Sequence, residues 1–159
     1  MMIFEVLTTP NPKLRERSRE VLVNEIKTPE MQKFFDDLVE TMKVEDGIGI
    51  AAPQVGNNIR VIIVLTKKGP EVFINPEITF RSIKKVKEEE GCLSVPGVYG
   101  IVERCKEVRV SALDRNGNKI QPDTKGFMSI IFQHEIDHLD GILFIDRAKK
   151  IKAEGTSRI

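Results

Sequence analysis

The sequence has no tryptophan, one tyrosine, two cysteines and two histidines, and its 25 basic and 24 acidic residues leave a formal net charge of +1. Each shortage excludes something. A near-neutral chain has no electrostatic steering toward nucleic acid or an anionic membrane. Zinc-finger spacing and aromatic-studded basic strands are missing, so no DNA partner is expected. The start, "MMIFEVLTTP", lacks the basic region and long apolar run of a signal peptide, and no stretch approaches the length of a membrane span, so no membrane partner is expected. Two cysteines make at most one disulfide, an unusual scaffold for 159 residues. Free thiols and a cytoplasmic location are the expectation.

What is present suffices for one folded unit. With 40% apolar and 31% charged residues, 1–159 reads as a single domain with a sizeable core, and the basic stretch 148–159 as a tail that frays. A helical turn is expected at Lys13–Glu16. The first long helix is predicted over Pro29–Val44, with Thr28 as its cap and Met31, Phe34, Phe35, Leu38 and Met42 on one face. "IRVIIVL" (59–65) reads as a buried strand and "EVFINP" as a short one ended by Pro76. Residues 78–90 supply one or two more. "ERCKEVRVSALDRNGNKIQ" is a hairpin turning at Asn116-Gly117. A second helix is expected over Thr124–Leu139, apolar on nearly every side and therefore central, with Gly141 ending it. The expected fold class is α+β: short antiparallel β-sheets packed around a central buried helix that carries an H-E-x-x-H motif.

That motif lies in "QHEIDHLDG", 133–141. On a helix, residues four apart share a face, so His134 and His138 can reach one ion. Glu135 is rotated off their line and can approach a water on the metal without ligating it. The two histidines are the only ones in the chain, which disfavours a purely structural role. A third ligand is needed, and the acidic residues have the context of solvated charge. Cys92, in "EEEGCLSVPG" between two glycines and before a proline, is the candidate; a Cys/His/His set with an open position is catalytic rather than structural. The bland alternative for Cys92 is a small buried hydrophobe. Cys105, in "ERCKE", reads as a strand residue and not a ligand. "GIGIAAPQVG" (47–56) suggests close approach of backbone to substrate. Gln54 there is either an amide donor into a site or a surface residue of a structural turn.

The segments "GIGIAAPQ", "EGCLS" and "QHEIDH" together resemble the three signature motifs of the peptide deformylases, in order and approximate spacing, and the resemblance covers about residues 8–147. It implies removal of the formyl group from N-formylmethionyl nascent peptides. It implies Cys92, His134 and His138 as metal ligands and Glu135 as the catalytic carboxylate. Gln54 and the backbone N–H of Leu93 would steady the oxyanion, and Gly49 would align the substrate. It further implies one divalent metal per chain, natively Fe²⁺, with Ni²⁺, Co²⁺ or Zn²⁺ as substitutes in preparations. For the methionine side chain, Ile48, Phe127, Ile130 and Ile131 are the candidate pocket. Gly97 and Tyr99 would line an outer groove in which the peptide pairs with strand 47–50.

Many bacterial members of that family continue into a longer C-terminal helix, in some linked to ribosome attachment. Only about twenty residues follow His138 here, so ribosome association is the weakest of the implied partners. Short members also occur in phage and organelle lineages, which leaves the source open. Two rival readings stand beside the deformylase: a zincin-like metallopeptidase, which shares H-E-x-x-H, and a non-catalytic metal or nascent-chain binding homologue. The second has no need of Glu135.

Overall fold

The computed structural model describes residues 2–153, 155 and 159. A 3₁₀ turn at Pro12–Arg15 and a single-turn helix α1 (Val23–Ile26) lead into α2 (Pro29–Val44). The long helix has the predicted bounds. Thr28 Oγ1 accepts the Met31 N–H, and Pro29 takes the first helical position, where its missing donor costs nothing. Among the described residues the strands are β1 (Gly49–Ala51), β2 (Val61–Thr66), β3 (Gly69–Arg81), β4 (Lys85–Cys92), β5 (Val95–Cys105), β6 (Val108–Leu113), β7 (Lys119–Ile120) and β8 (Lys149–Lys152). Helix α3 (Phe127–Leu139) follows β7.

The strands form two antiparallel sheets, one in the order β1-β2-β3-β6-β7 and one in the order β4-β5-β8. The alternation in "IRVIIVL" explains how the first sheet is buried on both faces. Ile62 and Val64 join Phe73, Val110, Ile130, Phe132 and Leu139 in one apolar cluster, while Val61 and Ile63 join Phe35, Leu38 and Met42 in another. Helix α2 therefore covers one face and α3 the other. On its far side α3 meets β5 of the second sheet. Phe132 of α3 and Phe73 of β3 pack edge to face, 5.0 Å between centroids, and Phe132 is fully buried. Truncating it to Ala is expected to cost roughly 3–5 kcal/mol.

Three expectations are corrected. The strand at 71–76 does not end at Pro76 but runs on to Arg81; the register against β6 shifts between Ile74 and Glu77, so the missing proline donor falls in an irregularity of the ladder. The central helix begins at Phe127 rather than Thr124, because Thr124 spends its hydroxyl on the Val108 carbonyl and Gly126 turns the chain at φ 61°. Within the stretch expected to fray, Lys149–Lys152 form a strand, pairing with β5 through Ile101↔Lys149 and Tyr99↔Lys152. The same expectation for residues 154 and 156–158 lies outside the described residues. No helix of the described residues is long and apolar enough to cross a membrane.

Candidate active site

Helix α3 is held at its middle and at its C-terminal end before it offers any chemistry. Gln133 accepts the Cys105 N–H (3.1 Å) and donates to the Cys105 carbonyl (2.9 Å), which pins α3 to β5. Arg60 donates to the Leu139 carbonyl at the helix end (3.0 Å) and to Asp140 (3.0 Å). Gly141, at φ 72°, lies so close to the Arg15 backbone that a side chain there has no room. The helix stops where only glycine fits.

On one face of α3, His134 and His138 stand one turn apart, ring centroids 5.1 Å from each other, and both are buried. Cys92 closes the set. It is the last residue of β4, paired with Val95 across a two-residue turn at Leu93-Ser94, and its Sγ lies 3.3 Å from His138 Nε2. Ligand atoms of Cys92, His134 and His138 all lie within 4.8 Å of one another. His134 Nδ1 is taken by Glu90, at 2.7 Å, and His134 Nε2 is buried with no partner. A sulfur and two imidazoles with an orphaned nitrogen between them fit a borderline-soft divalent cation.

The electrostatics point the same way. Burial works against a charged His134, but the Cys92 sulfur and Glu90 override it and raise that imidazole to about 10. Burial, with positive neighbours, keeps His138 well below the usual histidine range. Burial pushes Glu135 up to about 7, against the pull of His134. The site thus concentrates negative charge around His134 and draws positive charge to it.

Glu90 is the functional residue that the sequence reading passed over. It looked like one of three solvated acids in "EEEGC", yet it is fully buried and receives Arg104 on both oxygens, at 2.7 and 2.9 Å. Arg104 also reaches Asp137 at 2.8 Å, and Asp137 is held in turn by Arg147 at 2.8 and 3.0 Å. Burial alone would raise Glu90, but Arg104 and His134 hold it down at about 2. A fixed carboxylate behind one imidazole sets its tautomer and orients its other nitrogen. The sequence offers one hint, that Glu90 lies two residues before Cys92; the strand register shifts between them, yet both reach the imidazoles of α3.

Of the remaining candidates, Glu135, Gly49, Gln54, Leu93, Gly97 and Tyr99 lie at this centre or share a cavity with Cys92, whereas Phe127 does not. Glu135 is fully buried and neither oxygen has a hydrogen-bond partner. Gly49 of β1 lies directly against it. Gln54, in the 3₁₀ turn Ala52–Val55, is 1% exposed rather than at the surface. Its Oε1 accepts the Ala51 N–H at 2.9 Å, and its Nε2 donates to Ser94 Oγ at 3.0 Å, 3.7 Å from the Cys92 sulfur. Leu93, Gly97 and Tyr99 line a cavity of about 350 Å³ together with Cys92. Phe127, half exposed, and Ile130 line a second cavity of about 350 Å³ with Val86 and Glu88. Ile131 lies in the core cluster, onto which Ile48 packs. Cys105 is buried at the end of β5 and takes no part in the cluster.

A buried helix that presents two imidazoles and an unpartnered carboxylate beside a cysteine sulfur, framed by two antiparallel sheets, defines a metal-dependent hydrolase. A family model described as Polypeptide deformylase matches residues 3–154. A peptide deformylase of Desulforudis audaxviator is 47% identical over 152 residues, 95% of this chain and 97% of the relative. The crystal structure of the Ehrlichia chaffeensis peptide deformylase in complex with actinonin superposes with a TM-score of 0.86 at 36% identity, covering 94% of this chain and 91% of that one. A Met-Ala-Ser-bound peptide deformylase from Acinetobacter baumannii gives a TM-score of 0.87 at 36% identity over 92% and 98%. The chain belongs to the peptide deformylase family. Membership decides for a deformylase over a zincin-like peptidase.

Proposed function

We propose that the chain removes the formyl group from N-formylmethionyl peptides as one catalytic domain, with Cys92, His134 and His138 holding a divalent metal and Glu135 moving the proton. The observation that carries this is the conjunction of the three-ligand cluster with a fully buried, unpartnered Glu135 one residue along the same helix. When bound, the metal polarises the formyl carbonyl and acidifies a water. Glu135 takes a proton from the attacking water and returns it to the departing amine, releasing formate and a free N-terminus. A carboxylate whose pKa is lifted toward neutrality suits both transfers.

The oxyanion that forms is met by the Leu93 N–H and by the Gln54 amide. Gln54 is locked by its bonds to Ala51 and Ser94, so its second N–H has a fixed direction beside the cysteine. Preorganised donors of this kind lower the barrier by roughly 3 kcal/mol each. The peptide runs along β1, an edge strand, by backbone pairing near Ile48 and Gly49, and past Gly97 and Tyr99. Ile48, Ile130 and Ile131, which share one apolar cluster, supply apolar surface for the methionine side chain, whereas Phe127, half exposed and lining a separate cavity with Val86 and Glu88, does not. Backbone recognition of this kind tolerates many sequences beyond the first residue.

The family resemblance implies Fe²⁺ as the native metal, with Ni²⁺, Co²⁺ or Zn²⁺ as substitutes that the same Cys/His/His set accommodates, and the free thiols favour a cytoplasmic location. Ribosome association has no support in the site itself. Formate release from formyl-Met-Ala-Ser under anaerobic conditions tests the reading. Turnover of the formylated peptide, with the unformylated one untouched, supports it. Internal cleavage of either peptide, or no formate from metal-loaded protein, overturns it.

A further inference from the structure

The last part of the chain returns to the site. All four residues of β8 are exposed, and β8 lies along β5 with Lys152 opposite Tyr99 and its Nζ 2.7 Å from Glu89. Gly155 follows, packed so tightly on the Tyr99 ring that an added Cβ would stand 2.5 Å from Tyr99 Cγ and 2.6 Å from Glu89 Oε1. Ala153 and Gly155 are exposed, yet Ile159 is 1% exposed. It belongs to the apolar cluster that contains Ile130 and Ile131, and it lines the same cavity as Cys92, Leu93, Gly97 and Tyr99.

A buried aliphatic side chain outside any helix or strand, in a segment whose described residues from Lys149 to Ala153 and at Gly155 are exposed, is a docked plug. It shares its apolar cluster with Ile130 and Ile131 and its cavity with Gly97 and Tyr99, residues assigned above to substrate. Gly155 lets the path hug Tyr99 in the outer groove.

We propose that Ile159 is an intramolecular competitor of the substrate: its side chain occupies apolar surface of the cavity beside Cys92, and it leaves when a formylmethionyl peptide binds. This rests on the assignment of that cavity to substrate under the proposed function. A protein whose binding-competent form is a minor fraction shows an apparent affinity reduced by that fraction. The docked side chain therefore raises KM and leaves kcat alone, because it is absent from the substrate complex.

The test compares three metal-loaded proteins on formyl-Met-Ala-Ser: the full chain, a chain ending at Ala153 that keeps β8, and full-length Ile159→Asp. Both variants are expected to lower KM by roughly three- to tenfold at unchanged kcat. The free peptide AEGTSRI should inhibit the shortened chain competitively, and AEGTSRD should not. Unchanged or higher KM in both variants, with kcat retained, overturns the proposal. A failure of the functional reading looks different, since none of the three proteins would then release formate. The occupancy is read independently from the Ile159 δ1 methyl NMR signal, assigned with Ile159→Ala. The signal should be dispersed in the free protein and move to its solvent-exposed position as N-formylmethionine is added. A signal already at the solvent-exposed position without ligand also overturns it.

Discussion

A Cβ atom placed on Gly49 would stand 2.5 Å from Glu135 Oε2 and 3.0 Å from its carboxyl carbon. The edge strand of one sheet and the buried helix thus meet at a buried carboxylate neither of whose oxygens has a hydrogen-bond partner. Gly49→Ala must push Glu135 aside, since the strand is fully buried and paired to β2. The expected result is a kcat loss of roughly a hundredfold at unchanged metal content, as for an angstrom-scale misplacement of a reacting group. Wild-type kcat in Gly49→Ala would show that Glu135 does not need its present position.

Glu135→Gln separates chemistry from stability. Turnover should fall by roughly 10²–10⁴ with the metal retained. The stability effect has the opposite sign. Burial raises the folded-state pKa of Glu135 to about 7, above its unfolded value, so ionisation costs the metal-free protein stability as pH rises from about 4.5 to beyond 7. Metal-free Glu135→Gln is therefore expected to be more stable than the parent at pH 8, by on the order of 3 kcal/mol, with the difference shrinking toward pH 4.5. Urea unfolding at both pH values decides it. Equal parent–variant differences at pH 8 and 4.5 would contradict the linkage.

Glu90→Gln should weaken metal binding by roughly 10- to 100-fold, because it loosens the anchor of His134. It also leaves Arg104 buried with only Asp137. In the parent, Arg104 and His134 outweigh burial and hold Glu90 at about 2, below its unfolded value. Its stabilising contribution is therefore complete above about pH 4.5 and lost as pH falls toward 2. The variant should show a flatter acid limb of unfolding. A metal affinity equal to the parent's, measured by competition with a chelator, would remove Glu90 from the site.

Gln54→Ala should lower kcat by roughly a hundredfold and change KM little, the signature of a donor used in the transition state. Ser94→Ala, which removes only the Gln54 anchor at 3.0 Å, should have a smaller effect in the same direction. Parent-like kcat in Gln54→Ala would take the amide out of the oxyanion site.

Much of this was legible before any coordinates. The helix spacing of His134 and His138 and the off-axis Glu135 follow from 3.6 residues per turn, and the helix bears them as read. The burial of the strand β2 followed from its unbroken apolar run. Glu90 was hidden because local composition suggests solvation, whereas its burial is decided by Arg104, fourteen positions away and on another strand. The path of the tail was hidden for a similar reason. Lys149–Lys152 carry no apolar alternation, and β8 exists because β5 offers a free edge. Pro76 misled because a strand tolerates proline where its register already slips.

The central claim is that one cation is shared by the Cys92 sulfur and the two imidazoles of α3. Anaerobic titration of the metal-free protein with Co²⁺, followed by the sulfur-to-cobalt charge-transfer absorption, tests it most directly. The account predicts a band that saturates at one equivalent in the parent and in Cys105→Ser, and that vanishes in Cys92→Ser. A band that survives in Cys92→Ser, or is lost in Cys105→Ser, would contradict it.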